Sequence, residues 1–309
     1  MVPDASWTCG VPEGLAPPSD GALVMTITFD LGEIHDVGDT HQGHRRILDI
    51  NGGSISGDLT GSVTKGSLDL ELTLSNGNVE LEQLNMMSAQ DGTPIFLRVC
   101  GFAPSGDNVV RVIPNFEVNK STAYNWLNTG NFAGERILDE QAGTITLKVY
   151  DMSNVTAPAE KVTLSDPDGV PNQLWECFDV TGGKGDPIFT ESVGLGASIS
   201  VGDFGGGSRN IIPITGGTVT GNITGNVLYG GADFQLLGGN MIIDARYTLE
   251  TNDGELILIR NCGSFGALVP TFETSATGKY SYLNENVYVS SDPGGGAGGG
   301  VSITFYKRL

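Results

Sequence analysis

Basic residues are scarce in this chain, so the arginines that recur are the first place to look for chemistry. Lys and Arg together number 16, against 36 Asp and Glu. Arg45 and Arg209 stand at matching points of two similar stretches, and so do Arg98 and Arg260. Arg98 alternates with Phe96 and Cys100, and Arg260 with Leu256, Leu258 and Cys262, which places each guanidinium on an otherwise apolar strand face. A cation there must pair with a carboxylate or face a cavity. The recurring acids Asp69/Asp233 and Glu117/Glu273 are the expected partners. Two readings stay open: an ion pair that closes a barrel end, or a polar anchor inside a ligand pocket. For a reactive pocket the expected donors are Arg209, Arg246, Arg260, Tyr247 and Tyr282, with Asp233 or Glu273 orienting an arginine. Phe96, Arg98, Trp126, Glu273 and Tyr280 are the expected substrate contacts.

The elements that must position these residues are strands. Leu68, Leu70 and Leu72 alternate with Asp69, Glu71 and Thr73; Ile145, Leu147 and Val149 alternate with Thr146 and Lys148; Val301, Ile303 and Phe305 alternate with Ser302 and Thr304. Period-two runs of this kind predict sheets with one face buried and the other wet. Turn pairs separate them: Asn51-Gly52, Asn76-Gly77, Asp91-Gly92 and Asp253-Gly254. No amphipathic helix stands out. The 46 Gly suit tight turns and barrel corners.

The chain is a duplication. Ile50-Asn51-Gly52-Gly53-Ser54-Ile55-Ser56-Gly57 returns as Ile214-Thr215-Gly216-Gly217-Thr218-Val219-Thr220-Gly221. Asp91-Gly92, Arg98 and Cys100-Gly101 return as Asp253-Gly254, Arg260 and Cys262-Gly263. Tyr124-Asn125-Trp126-Leu127-Asn128 returns as Tyr280-Ser281-Tyr282-Leu283-Asn284, and Tyr150 returns as Tyr306. The expected organisation is a β-barrel repeat over residues 1–152, a linker over 153–173 and a second repeat over 174–309. The halves differ at Asp244-Ala245-Arg246-Tyr247-Thr248, where the first reads Glu82-Gln83-Leu84-Asn85-Met86. That substitution makes the second repeat the expected home of a reactive pocket.

Four Cys fall two to a half, which predicts the disulfides Cys9–Cys100 and Cys177–Cys262, with pairing between the halves and free thiols as alternatives. Disulfides would place the protein in a secretory lumen or outside the cell. The start Met1-Val2-Pro3-Asp4 carries no leader pattern, so a secreted protein would have lost its leader. A net charge of -20 argues against nucleic acid and anionic membranes as partners. No nucleophile elbow, zinc motif or phosphate loop occurs. His35, His41 and His44 cluster in one loop without completing a metal site, so neither metal nor cofactor is expected. The glycine run from Gly294 to Gly300 reads as a flexible hairpin or lid.

Ile214-Thr215-Gly216-Gly217, Gly230-Gly231-Ala232-Asp233-Phe234, Asp244-Ala245-Arg246-Tyr247-Thr248, Asn252-Asp253-Gly254 and Tyr280-Ser281-Tyr282-Leu283-Asn284 resemble domain-of-unknown-function family 3237. The resemblance implies a closed antiparallel barrel of the calycin or lipocalin kind, here twice in tandem, making an all-β protein. A tandem, Cys-containing version is similar to a fungal secondary-metabolism group that includes hetero-Diels–Alderases. That likeness implies a cofactor-free pericyclase or dehydratase that makes or captures a quinone-methide-type intermediate for cycloaddition with a hydrophobic terpenoid. The partner would be a small hydrophobic or aromatic substrate, with a homodimer left open. The alternatives are a non-catalytic, lipocalin-like carrier and a structural glycoprotein with filled barrels.

Overall fold

A computed structural model describes residues 18–156, 177, 182–285, 287–296 and 299–309, together with the backbone of two short strands outside these ranges. Strands dominate. They are β1 (Pro12–Glu13), β2 (Ala22–Asp39), β3 (His44–Gly57), β4 (Gly61–Val63), β5 (Ser67–Thr73), β6 (Val79–Ala89), β7 (Pro94–Ala103), β8 (Val109–Val118), β9 (Phe132–Asp139) and β10 (Thr144–Asp151). There follow β11 (Val162–Thr163), β12 (Lys184–Leu195), β13 (Ile199–Asp203), β14 (Ser208–Gly221), β15 (Gly225–Val227), β16 (Ala232–Leu237), β17 (Ile242–Thr251), β18 (Leu256–Ser264), β19 (Val269–Thr274), β20 (Tyr288–Ser290), β21 (Gly294–Gly295) and β22 (Val301–Arg308). Among the described residues, helix is confined to α1 (Trp126–Thr129) and short 3-10 turns.

The protein is all-β, with two antiparallel barrels in tandem, each in its own compact unit. In the first, neighbours run β2, β10, β9, β8, β7, β6, β5, β3 and back to β2, with β4 bridging β3 and β6. Ring closure leaves no free edge. The second repeats the plan from β12 to β22. Its ends, β19 and β20, meet where the Ser290 N–H donates to Leu268 O at 3.3 Å. The counterpart seam of the first barrel is a true ladder, with Val109 opposite Ile137 and Val112 opposite Gly134. The second seam is shorter because β20 stops at Ser290, just before Pro293 and the glycine run. Proline has no N–H for a ladder, and glycine carries no side chain to pack.

Each barrel has its own apolar interior. Ile27, Phe29, Leu48, Ile50, Leu97, Val99, Leu147 and Val149 fill the first. Phe189, Tyr247, Leu249, Ile257, Ile259, Phe272 and Phe305 fill the second, where the Phe189, Phe272 and Phe305 rings cluster within 4.6–5.7 Å of one another. The Cys177–Cys262 disulfide is formed in the second unit and closes 85 residues of chain. Cys9, the expected partner of Cys100, lies outside the described residues, as does most of the expected linker.

One expectation is corrected. Along β5 the Leu68, Leu70, Leu72 series was expected inside, with Asp69 and Glu71 in water. The register places Asp69 opposite Leu48, a core residue, so the acids point into the barrel. Both faces of β5 are buried: Leu70 is 1% exposed and Asp69 0%. Alternation reports which residues share a face, not which face lies inward.

Glycine is obligatory where the short bridging strand crosses. A Cβ on Gly225 would collide with the Glu250 carbonyl oxygen and lie 2.7 Å from Thr251 Cα. The matched Gly61 meets the Ser88 carbonyl in the same way. Gly225→Ala is therefore expected to destabilise the protein by about 1–3 kcal/mol in urea unfolding, the usual cost of overpacking. Unchanged stability would show that the crossing relaxes freely.

Candidate functional site

Inside the two barrels, matched positions carry different chemistry. In the first, Arg136 on β9 reaches inward and is 2% exposed. Its Nη2–H and Nε–H donate to Asp69 Oδ2 at 2.8 and 3.1 Å, and its Nη1 pairs with Glu71 Oε1 at 2.7 Å. Arg46 approaches the other Glu71 oxygen at 3.7 Å. Burial pushes the Asp69 carboxyl upward, and Arg136 pulls it back. Gln83 and Asn85, both 0% exposed, complete a polar interior already occupied by an arginine side chain.

Among the described residues the second barrel shows no such filler. The strand pairing that puts Arg136 opposite Leu147 would put Asp292 opposite Ile303, but β20 has ended. Asp292 is exposed instead, and its Oδ1 accepts the Gly266 N–H at 2.6 Å. Behind this interrupted seam is a cavity of about 240 Å³. One wall is aliphatic: Val193 and Leu195 from β12, Ile212 and Ile214 from β14, Val301 and Ile303 from β22. The other carries Asp233 and Gln235 from β16, Tyr247 from β17 and Asn261 from β18. Ile243, Ala245, Phe265 and Pro293 complete the lining, and Phe265 is 50% exposed. No Lys, Arg or His is among the lining residues. Such a cavity, apolar with a few convergent polar groups, has the form of a small-molecule site.

Two carboxyl groups define its electrostatics. Asp233 Oδ2 accepts the Gln235 amide at 2.7 Å, while Oδ1 is buried with no side-chain partner among the described residues and the Asp244 backbone N–H is a further donor to the carboxyl. Burial pushes this carboxyl up to about 6; the Gln235 hydrogen bond, the Asp244 backbone N–H and the Arg209 charge oppose the rise, and the Asp244 charge adds to it. Behind Tyr247 lies Glu191, which is 0% exposed. The Tyr247 hydroxyl donates to Glu191 Oε2 at 2.6 Å, and Oε1 has no partner. Desolvation raises Glu191 to about 8 despite that hydrogen bond. Burial and the neighbouring carboxyl also push the Tyr247 phenol well above its ordinary value. Asp233 faces Ala245 across the ladder, and Tyr247 is two residues on along the same face, so the two groups are diagonal neighbours. At neutral pH the cavity thus holds one carboxylate and one carboxylic acid–phenol pair, the environments pushing the two acids apart.

The expected site residues divide by strand parity. Asp233 and Tyr247 line the cavity. Arg209, Arg246 and Arg260 occupy the opposite faces of β14, β17 and β18. Arg246 Nε and Arg260 Nε both donate to Asp244 Oδ1, at 2.8 and 2.9 Å. Burial opposes ionisation of Asp244, yet the two guanidiniums hold it far below the usual carboxylate range. The carboxylate at Arg260 is thus Asp244 rather than only the expected Asp233 or Glu273, and Arg98 uses the matched Glu82, with Nε donating at 2.8 Å. Glu273, opposite Leu258, is buried on that same outer face, as Phe96 is on β7. Tyr280 and Tyr282 are outside the cavity lining: the Tyr280 hydroxyl donates to Asp253 at 2.9 Å, and Tyr282 is 36% exposed. Trp126 packs edge-on to Phe132 at 5.9 Å in a separate cleft of the first unit.

Glu191, Gln235 and Asn261 were not foreseen. Glu191 left a signal: it interrupts the inward series Phe189, Val193, whose matched first-half residues are Met25, Ile27 and Phe29, all apolar.

The family profile of DUF3237, described as proteins of unknown function, matches residues 21–153 and again 184–267. The chain therefore belongs to DUF3237. A UPF0311 protein of Bradyrhizobium diazoefficiens is 38% identical over 128 residues, covering 34% of this chain and 84% of that protein. One from Rhodopseudomonas palustris is 44% identical over 79 residues, covering 25% of this chain and 52% of that protein, so the chain spans about half of its length. The crystal structure of a protein of unknown function from Clostridium acetobutylicum aligns with 26% identity and a TM-score of 0.39, over 42% of this chain and 97% of that one.

The raised Glu191 value fixes the sign of a stability change. The folded state keeps this proton from about 4.5, the ordinary value, up to about 8, where the unfolded state has lost it. Stability is therefore lost as pH rises through that window. Wild type and Glu191→Gln should unfold at similar urea concentrations at pH 5, and at pH 9 the variant should be more stable by roughly 2–5 kcal/mol. A difference independent of pH would show that Glu191 is ionised throughout.

Proposed function

We propose that the second barrel is a cofactor-independent acid–base site that removes water from a compact, largely apolar hydroxy compound. What supports this reading is the pairing of an ionisable base, Asp233, with a protonated acid, Glu191 behind Tyr247, around one cavity of about 240 Å³. The narrower form is formation of a quinone-methide-type intermediate. The Asp233 carboxylate takes the phenolic proton of an ortho-hydroxybenzyl alcohol, and electrons flow from that oxygen through the ring to break the benzylic C–O bond. The departing oxygen takes the Tyr247 proton and leaves as water. For this the Glu191 proton sits on Oε2 and the hydrogen bond runs from Glu191 to Tyr247, which frees the Tyr247 hydroxyl for the leaving oxygen; Glu191 then reprotonates Tyr247, and the proton on Asp233 returns to Glu191 through solvent. Cycloaddition of the intermediate with an alkene is pericyclic and asks only for proximity and an apolar wall. The aliphatic strands β12, β14 and β22 suit that demand. The Cys177–Cys262 disulfide supports an oxidising compartment for the protein.

The test uses ortho-hydroxybenzyl alcohols with a trapping alkene and the full chain. Turnover should follow a bell between about 6 and about 8, set by Asp233 and Glu191. Asp233→Asn and Tyr247→Phe should each lower it by about 10²–10⁴-fold while ligand binding persists. Binding with no acceleration of water loss would contradict the reading and make the barrel a carrier.

A further inference from the structure

The first barrel shows what its sister is shaped to hold. Asp69 and Asp233 are matched residues, on matched strands, pointing into matched interiors. In the first barrel the occupant at this acid is a three-carbon stem ending in a guanidinium, delivered by Arg136 at 2.8 Å. In the second the delivering position is Asp292, turned away to Gly266, and no cationic side chain lines the cavity. Space, an aliphatic wall and a carboxyl group with no cation beside it in the cavity lining and one buried oxygen without a side-chain partner remain. A buried carboxylate is costly unless a donor or cation meets it.

We infer that the second-barrel cavity receives a compact ligand with a cationic nitrogen head and an aliphatic body. Its head pairs with Asp233 as the Arg136 guanidinium pairs with Asp69. The inference rests on the cavity being a ligand site; a cationic head seated on Asp233 occupies the base of the proposed reaction, so such a ligand competes with the hydroxy compound rather than being turned over. It also assigns a specificity: the Asp233 carboxylate, with no cation in the described lining, disfavours carboxylate or phosphate ligands.

The probe is propylguanidinium, the Arg136 side chain cut at Cα. The control is propylurea, a neutral analogue of the same shape that keeps three of the five N–H donors. Calorimetric titration of the full chain at neutral pH should give at least about tenfold tighter binding of propylguanidinium, because a charge-assisted hydrogen bond is about twice as strong as a neutral one. Asp233→Asn should bring the two probes to equal affinity. Equal affinity in the wild type, a preference for the urea, or a guanidinium preference that survives in Asp233→Asn would overturn the inference. If propylurea alone binds, the cavity remains a ligand site and only the cation assignment falls. If neither probe binds, the assignment and the ligand-site reading fall together.

Discussion

A carboxyl group inside a closed β-barrel has no bulk water to stabilise its charge, and much else in this protein follows from how each barrel meets that constraint. Desolvation favours the neutral acid, and only a buried cation or several donors can reverse the balance. The first barrel brings in the cation: Arg136 crosses the interior and holds Asp69 and Glu71. The second brings in none. Glu191 stays protonated at neutral pH, held only by the Tyr247 hydroxyl, while Asp233 sits at the cavity edge with one oxygen bonded to Gln235. The same fold thus yields a filled barrel and an open one.

The seam explains why the difference is structural as well as electrostatic. A strand long enough to carry Arg136 also ladders with β8 and shuts the first barrel. In the second, β20 is cut short before Pro293, so the arginine position, the ladder and the filler are lost together. A duplicated chain can absorb such a change because one copy keeps its packed interior. The outer-face ion pair is retained in both, as Arg98 with Glu82 and as Arg260 with Asp244. Its conformity across the copies fits a structural role better than a reactive one, since reactivity would reside where the copies diverge.

Much of this was legible in the residues. Period-two runs and turn pairs gave strands, and self-comparison gave two like domains without any spatial information. The pairing of Cys177 with Cys262 followed from their repeated placement. What could not be read was the inward face. Arg98 and Arg260 looked like pocket residues because they interrupt apolar series, yet those series face outward, and the neighbouring odd-numbered Ile257, Ile259 and Asn261 face in. Where both faces of a sheet are buried, as on β5, hydrophobicity no longer distinguishes them. Glu191 was missed for the opposite reason: one acid among apolar neighbours draws the eye only when its sister residue, Ile27, is set beside it.

The central claim is that the second barrel keeps a protonated carboxylic acid beside Tyr247 at neutral pH. Infrared difference spectroscopy, wild type minus Glu191→Gln, tests it without reference to substrate. The account predicts a protonated-carboxyl C=O band at neutral pH that is absent from the variant and gives way to carboxylate bands as pH rises through about 8. A difference spectrum showing only carboxylate at neutral pH would contradict it.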